Sequence, residues 1–141
     1  MISMRLTIML VVALIWVGPV WGRDDGGPKY EAPPEIVATL PKICWWFYMD
    51  NIPNTPEYNI RLTCGISSNH YCPGLVHMKR VEQEKTTDAR LYRLRRAKED
   101  MEYTLRYTEK IPECSVRQSA KMTLERIKFQ MDMLKWNVRT R

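Results

Sequence analysis

Glycine is scarce in this chain, with six residues among 141, and the nine prolines follow no period. That excludes collagen-like and low-complexity architectures. No internal repeat recurs, and no Gly-rich loop ending in Lys-Ser/Thr is present to cradle phosphates. No Asn-x-Ser/Thr acceptor for N-glycosylation exists either. Histidine is limited to His70 and His77, and no nucleophile-elbow motif frames any serine, including Ser67 and Ser68 nearby. After residue 22 no uncharged run approaches the ~20 residues that a membrane-spanning helix needs. What remains is a normal folding composition, 45% apolar and 27% charged, in a length suited to one domain.

The first segment reads as an address. Arg5 precedes an uncharged run from Leu6 to Val17, and short side chains follow, with Val20 and Gly22 at the positions favoured before a cut. This is the pattern of a secretory signal peptide over 1–22, with a mature chain starting at Arg23. A membrane anchor is the rival reading, disfavoured because Pro19 and the charged Arg23-Asp24-Asp25 end the apolar stretch early. Loss of Arg5 would lower the net charge from +6 to +5. The protein is therefore expected outside the cell, where an even number of cysteines in a small domain implies disulfides.

Residues 23–34 are polar and rich in Pro and Gly, and predict a flexible leader. From 35 to 141 the sequence predicts a single, mostly α, disulfide-stapled domain. A short helix begins near Pro34, Pro41 interrupts it, and an aromatic segment completes residues 35–49. The four consecutive aromatics Trp45, Trp46, Phe47 and Tyr48 cannot all face one way, so some must bury while others meet a second surface. Residues 50–80 predict a long, cysteine-containing loop. Helices follow over about 81–110 and 115–138, forming an antiparallel hairpin with the aromatic segment laid across it. In the first, Leu91, Leu94, Met101 and Leu105 share a stripe, and Tyr92, Tyr103 and Tyr107 line the other side, as in a central helix. Ser115 and Gln118 predict a capping box for the second. There Val116, Ala120, Leu124, Ile127, Met131, Leu134 and Val138 make a seam at coiled-coil spacing.

Four cysteines allow three pairings. With 81–110 as one continuous helix, about 45 Å long at 1.5 Å per residue, Cys114 sits at the tip of the hairpin and Cys72 near its base. That geometry predicts Cys44–Cys114 and Cys64–Cys72. The alternative use of Cys64, Cys72, His70 and His77 as zinc ligands fits no established spacing and conflicts with an oxidising compartment. No metal and no cofactor is expected. His70 and His77 read as ordinary loop residues without an aspartate neighbour, and Glu99 with Asp100 reads as solvated helix face, so no enzyme is predicted.

Binding is the better expectation. Arg90, Arg93 and Arg96 belong to a basic cluster suited to acidic surfaces, and Phe129, Met133 and Trp136 form, with Met122, a stripe opposite the seam. This stripe would either pack beneath Trp45, Trp46 and Phe47 or stand open for a partner. The function read from the sequence is a secreted, non-enzymatic binding protein or effector, toxin-like in class. It would act on an extracellular protein receptor, a channel or an anionic membrane surface, and it could pair as a homodimer. Nucleic acid is excluded by compartment. The alternatives are a structural component of an extracellular matrix or coat, and a peptide precursor cut at Lys79-Arg80.

Overall fold

A computed structural model describes residues 30–140. The signal peptide over 1–22, its cut before Arg23 and leader residues 23–29 lie outside the described residues. The fold is helical, with no strand among the described residues.

Three long helices form the frame: α4 (Tyr71–Gln83), α5 (Thr87–Tyr107) and α6 (Arg117–Arg139). Short connections make each antiparallel to the next, and α5 is central, packing against α4 on one side and α6 on another. Before them come α1 (Pro34–Val37), α2 (Trp45–Tyr48) and α3 (Arg61–Cys64), with 3-10 turns at Lys42–Cys44 and Ile66–His70. This first part lies over α4 and reaches α6: Thr39, Leu40 and Pro41 share a cleft with Tyr71 and Leu75 of α4 and Thr123 of α6.

Pro34 occupies the first position of α1, where its missing N–H costs nothing, and Pro41 precedes the next turn. The aromatic quartet divides as its crowding requires. Trp46 and Phe47 are buried, whereas Trp45 and Tyr48 lie at the surface of the core. Trp45 stacks on Tyr58 and donates its Nε1–H to the Leu40 carbonyl at 3.1 Å.

The expected loop over 50–80 is corrected. Only its first part is irregular, held by Asn59, whose Nδ2 donates to Asn54 Oδ1 and whose Oδ1 accepts from the Arg61 N–H. The remainder is α3, a 3-10 turn and most of α4, and both His70 and His77 are in helical backbone. Pro73 and Gly74 conceal α4 in the sequence. Pro73 falls in the first turn, where the backbone N–H has no helical partner anyway. Gly74 is there for contact: a Cβ would lie 2.6 Å from Met101 Cε and 3.0 Å from Asp100 Cβ, so α4 and α5 approach closely at this point. Lys79-Arg80 consequently lies inside α4 rather than on a loop.

The continuous helix over 81–110 is likewise two helices separated at 84–86. Thr86 caps α5, its Oγ1 accepting from the Ala89 N–H at 3.2 Å. Arg90 Nε donates to the Glu84 carbonyl (2.9 Å) and Arg93 Nε to Glu84 Oε1 (2.8 Å), closing the turn. The capping box at Ser115 is not formed. Val116 is the N-cap without a side-chain bond, and Ser115 Oγ instead lies 3.4 Å from Thr63 Oγ1. Arg117 joins α6 to α5 by donating to the Leu105 carbonyl and Thr108 Oγ1, which satisfies a carbonyl in the last turn of α5.

These boundaries correct the cysteine pairing. The disulfides are Cys44–Cys72 and Cys64–Cys114. Cys72 opens α4, so the 13 residues of that helix carry the chain back about 20 Å to the turn at 84–86. Cys72 therefore stands beside the middle of α5 and meets Cys44. The end of α3 lies at the α5–α6 connection, where a Cβ on Gly65 would touch Ile111 Cδ1 at 3.4 Å, and Cys64 meets Cys114 there. With both thiols spent in different bonds, the zinc alternative loses its two sulfur ligands, Cys64 and Cys72. Two disulfides point to an oxidising compartment, and no helix among the described residues is long and apolar enough to cross a membrane.

Candidate interaction surface

The seam of α6 divides along its length. Val116, Ala120, Leu124 and Ile127 are buried against the bundle, Met131 and Leu134 are half-buried, and Val138 is exposed. Burial thus fades toward the C-terminal end of α6, where residues 135–140 are all exposed.

The opposite stripe is open. Met122 is 65% exposed, Phe129 66%, Met133 47% and Trp136 64%. Trp46 and Phe47 are instead buried among Tyr30, Arg61 and each other. At 100° per residue the four exposed apolar side chains fall within one narrow band facing away from the seam. These large apolar groups are aligned on a helix anchored by its other face and form a continuous exposed stripe rather than scattered exposure.

Beside the band is a groove of about 300 Å³ between the α4–α5 turn and α6, lined by Val81, Leu94, Phe129, Met133 and Leu134, with Arg90 at its edge. The groove brings together Arg90, Phe129 and Met133 from the sequence-predicted binding residues. Trp136 lies one turn beyond it, and Arg93 and Arg96 do not line it. The basic cluster itself is largely occupied: Arg90 and Arg93 hold Glu84, and Arg96 pairs with Glu99 at 3.0 Å on the surface. Sequence reasoning placed Leu94 and Leu134 only on packing stripes and did not gather Val81, Leu94 and Leu134 into a groove, because the groove exists only once the chain turns at 84–86. Thr86-Thr87-Asp88 was the available signal, since a hydroxyl before an acidic first turn starts a helix.

A second cluster went undetected for the same reason. His70 Nδ1–H donates to Asp100 Oδ1 at 2.8 Å across the α4–α5 interface, although 30 residues separate them. Asp100 is buried, which corrects its reading as solvated face. The His70 ring packs on Tyr103 (4.0 Å between centroids), Tyr103 on Tyr107, and the Arg106 guanidinium lies over both tyrosines. Chemically this is an oriented imidazole, but the nearest serine in sequence, Ser68, is buried with its hydroxyl donating to the Gly65 carbonyl at 2.6 Å. The pair thus joins α5 to the start of α4.

Burial pushes the Tyr71 phenol up from its ordinary pKa, opposed by its 2.8 Å hydrogen bond with Ser119, so it stays a neutral link between α4 and α6. Burial also lowers His77 below its usual value, and the surrounding Arg93, Arg96 and Arg80 act in the same direction while Asp100 opposes them. In comparisons with known proteins, the chain matches no family model, no curated protein and no solved structure.

Proposed function

We propose that the protein is a secreted, non-enzymatic binding protein, an effector in the broad sense, whose working surface is the exposed band of α6 with the adjoining groove. The observation that carries this reading is the alignment of Phe129, Met133 and Trp136, each about half or more exposed, on a helix whose opposite face is locked into the bundle. Leaving such groups in water forgoes burial worth roughly 1.5–3 kcal/mol for each large apolar side chain, and a partner recovers it. Aromatics and Met are the residue types that concentrate binding energy at contact surfaces. Two disulfides suit the scaffold to extracellular conditions.

The test is saturable binding of the oxidised, labelled protein to a panel of intact cells. The double variant F129A/W136A, with circular dichroism and Tm unchanged because both side chains are exposed, should bind at least tenfold more weakly. Equal binding by wild type and variant, or recovery of the native chain from cytosol with free thiols, would overturn the proposal.

A further inference from the structure

Charge on α6 is unevenly placed around the exposed band. On one side Glu125 and Asp132 lie next to it, and a strip of Lys121, Arg139, Lys128 and Lys135 lies beyond them; Arg126 borders it on the other side. Glu125 is taken by Lys128 at 2.9 Å. Lys121, Arg126, Lys135 and Arg139 are exposed and make no ion pair among the described residues. At the C-terminal end of α6 Trp136 (64%) and Val138 (59%) lie on opposite sides of the helix, both exposed among the described residues.

We infer that this face of α6 docks on an anionic phospholipid surface. The inference rests on the reading of the α6 band as the working surface and names what it meets. A narrow apolar band containing Trp and Phe, on a helix whose surface around it carries five cations against two acids, suits a position in the headgroup region of a bilayer, where long Lys and Arg side chains reach out from the outer flank. There the aromatic rings enter the acyl boundary while the cations reach lipid phosphates. The band faces away from the bundle, so a flat surface can approach it along the length of the helix. Penetration is shallow, because the seam of α6 is already committed to α5 and no helix of the described residues can span a bilayer. Charge argues against a second copy as the occupant. Antiparallel pairing of two α6 bands about a two-fold axis sets the predominantly cationic flank of one copy beside the same flank of the other, whereas anionic lipid neutralises both.

The test uses the full disulfide-bonded protein and vesicles of phosphatidylglycerol and phosphatidylcholine at one to three, compared with phosphatidylcholine alone. Co-sedimentation at least tenfold stronger with the anionic vesicles is expected, with a blue shift of tryptophan emission that F129A/W136A abolishes. K135Q/R139Q should weaken binding by about 25-fold at low salt, since each cation near the surface contributes about fivefold, and K135R/R139K should restore it. The inference fails if the protein ignores anionic vesicles, binds neutral vesicles equally well, or binds independently of both pairs of substitutions. Absence of vesicle binding together with stripe-dependent binding to cells that trypsin destroys would identify a protein receptor, overturning the inference while leaving the binding-protein reading intact. A dimer that F129A/W136A dissolves, without vesicle binding, would likewise overturn it in favour of self-association. Loss of both vesicle and cell binding would remove both readings.

Discussion

The imidazole of His77 is half-buried in α4, and its Nδ1 finds no protein partner among the described residues. Burial and three nearby arginines hold its pKa below the ordinary value of about 6.5. The unfolded chain therefore binds a proton at a higher pH than the folded chain does. His77 contributes its stabilisation in full above about pH 6.5, and that contribution declines as pH falls through the folded pKa. Tm should decrease between pH 7 and pH 5, and His77→Leu should flatten that decrease. Thermal unfolding of both proteins across this range is the check, and parallel pH profiles would contradict the assignment. Asp100 shows how a single side chain can mislead. Beside Glu99 in a charged run it looks solvated, yet His70 and the gap left by Gly74 make room for it at the α4–α5 contact. No local pattern records a partner 30 residues away.

The α4–α5 contact is as close as it is because position 74 lacks a side chain. Gly74→Ala would gain about 0.5–1 kcal/mol of helix preference. It would also force the added methyl against Met101 and the backbone-proximal carbon of Asp100, an overpacking cost of about 1–3 kcal/mol. A net loss of stability is expected, measured as a lower denaturant midpoint at unchanged slope; an unchanged or higher midpoint would show that Met101 yields freely. The helices differed in legibility for physical reasons. α6 was evident from its seven seam residues, and the centre of α5 from an unbroken run of helix formers. α4 was hidden because Pro73 and Gly74 usually end helices, and here the first sits in an opening turn while the second serves a contact. The same misreading merged the end of α4 with α5 and placed Cys72 at the wrong height. The exposed band was legible as a stripe, but whether Trp46 and Phe47 would cover it depended on the tertiary arrangement of a segment that pattern alone does not locate.

The molecule joins a compact pair of helical hairpins to a weakly regular first part through two covalent links. Cys44–Cys72 closes a separation of 28 residues and Cys64–Cys114 one of 50. In the chain-entropy account these are worth roughly 3.5 and 4 kcal/mol. Replacing either pair by serine should lower stability by about 2–5 kcal/mol, read by urea unfolding, and removing both should release the first part from α4 and the α5–α6 connection. A fully reduced protein with the midpoint of the oxidised one would refute that. The pairs interlace, the second opening before the first closes, so their loops overlap and together span every peptide bond from Cys44 to Cys114. One nick anywhere in that interval, whether by a protease in storage or in a handled sample, leaves both pieces tethered. The damaged molecule would weigh one water more, migrate as intact on a non-reducing gel, and separate into fragments only once dithiothreitol is added.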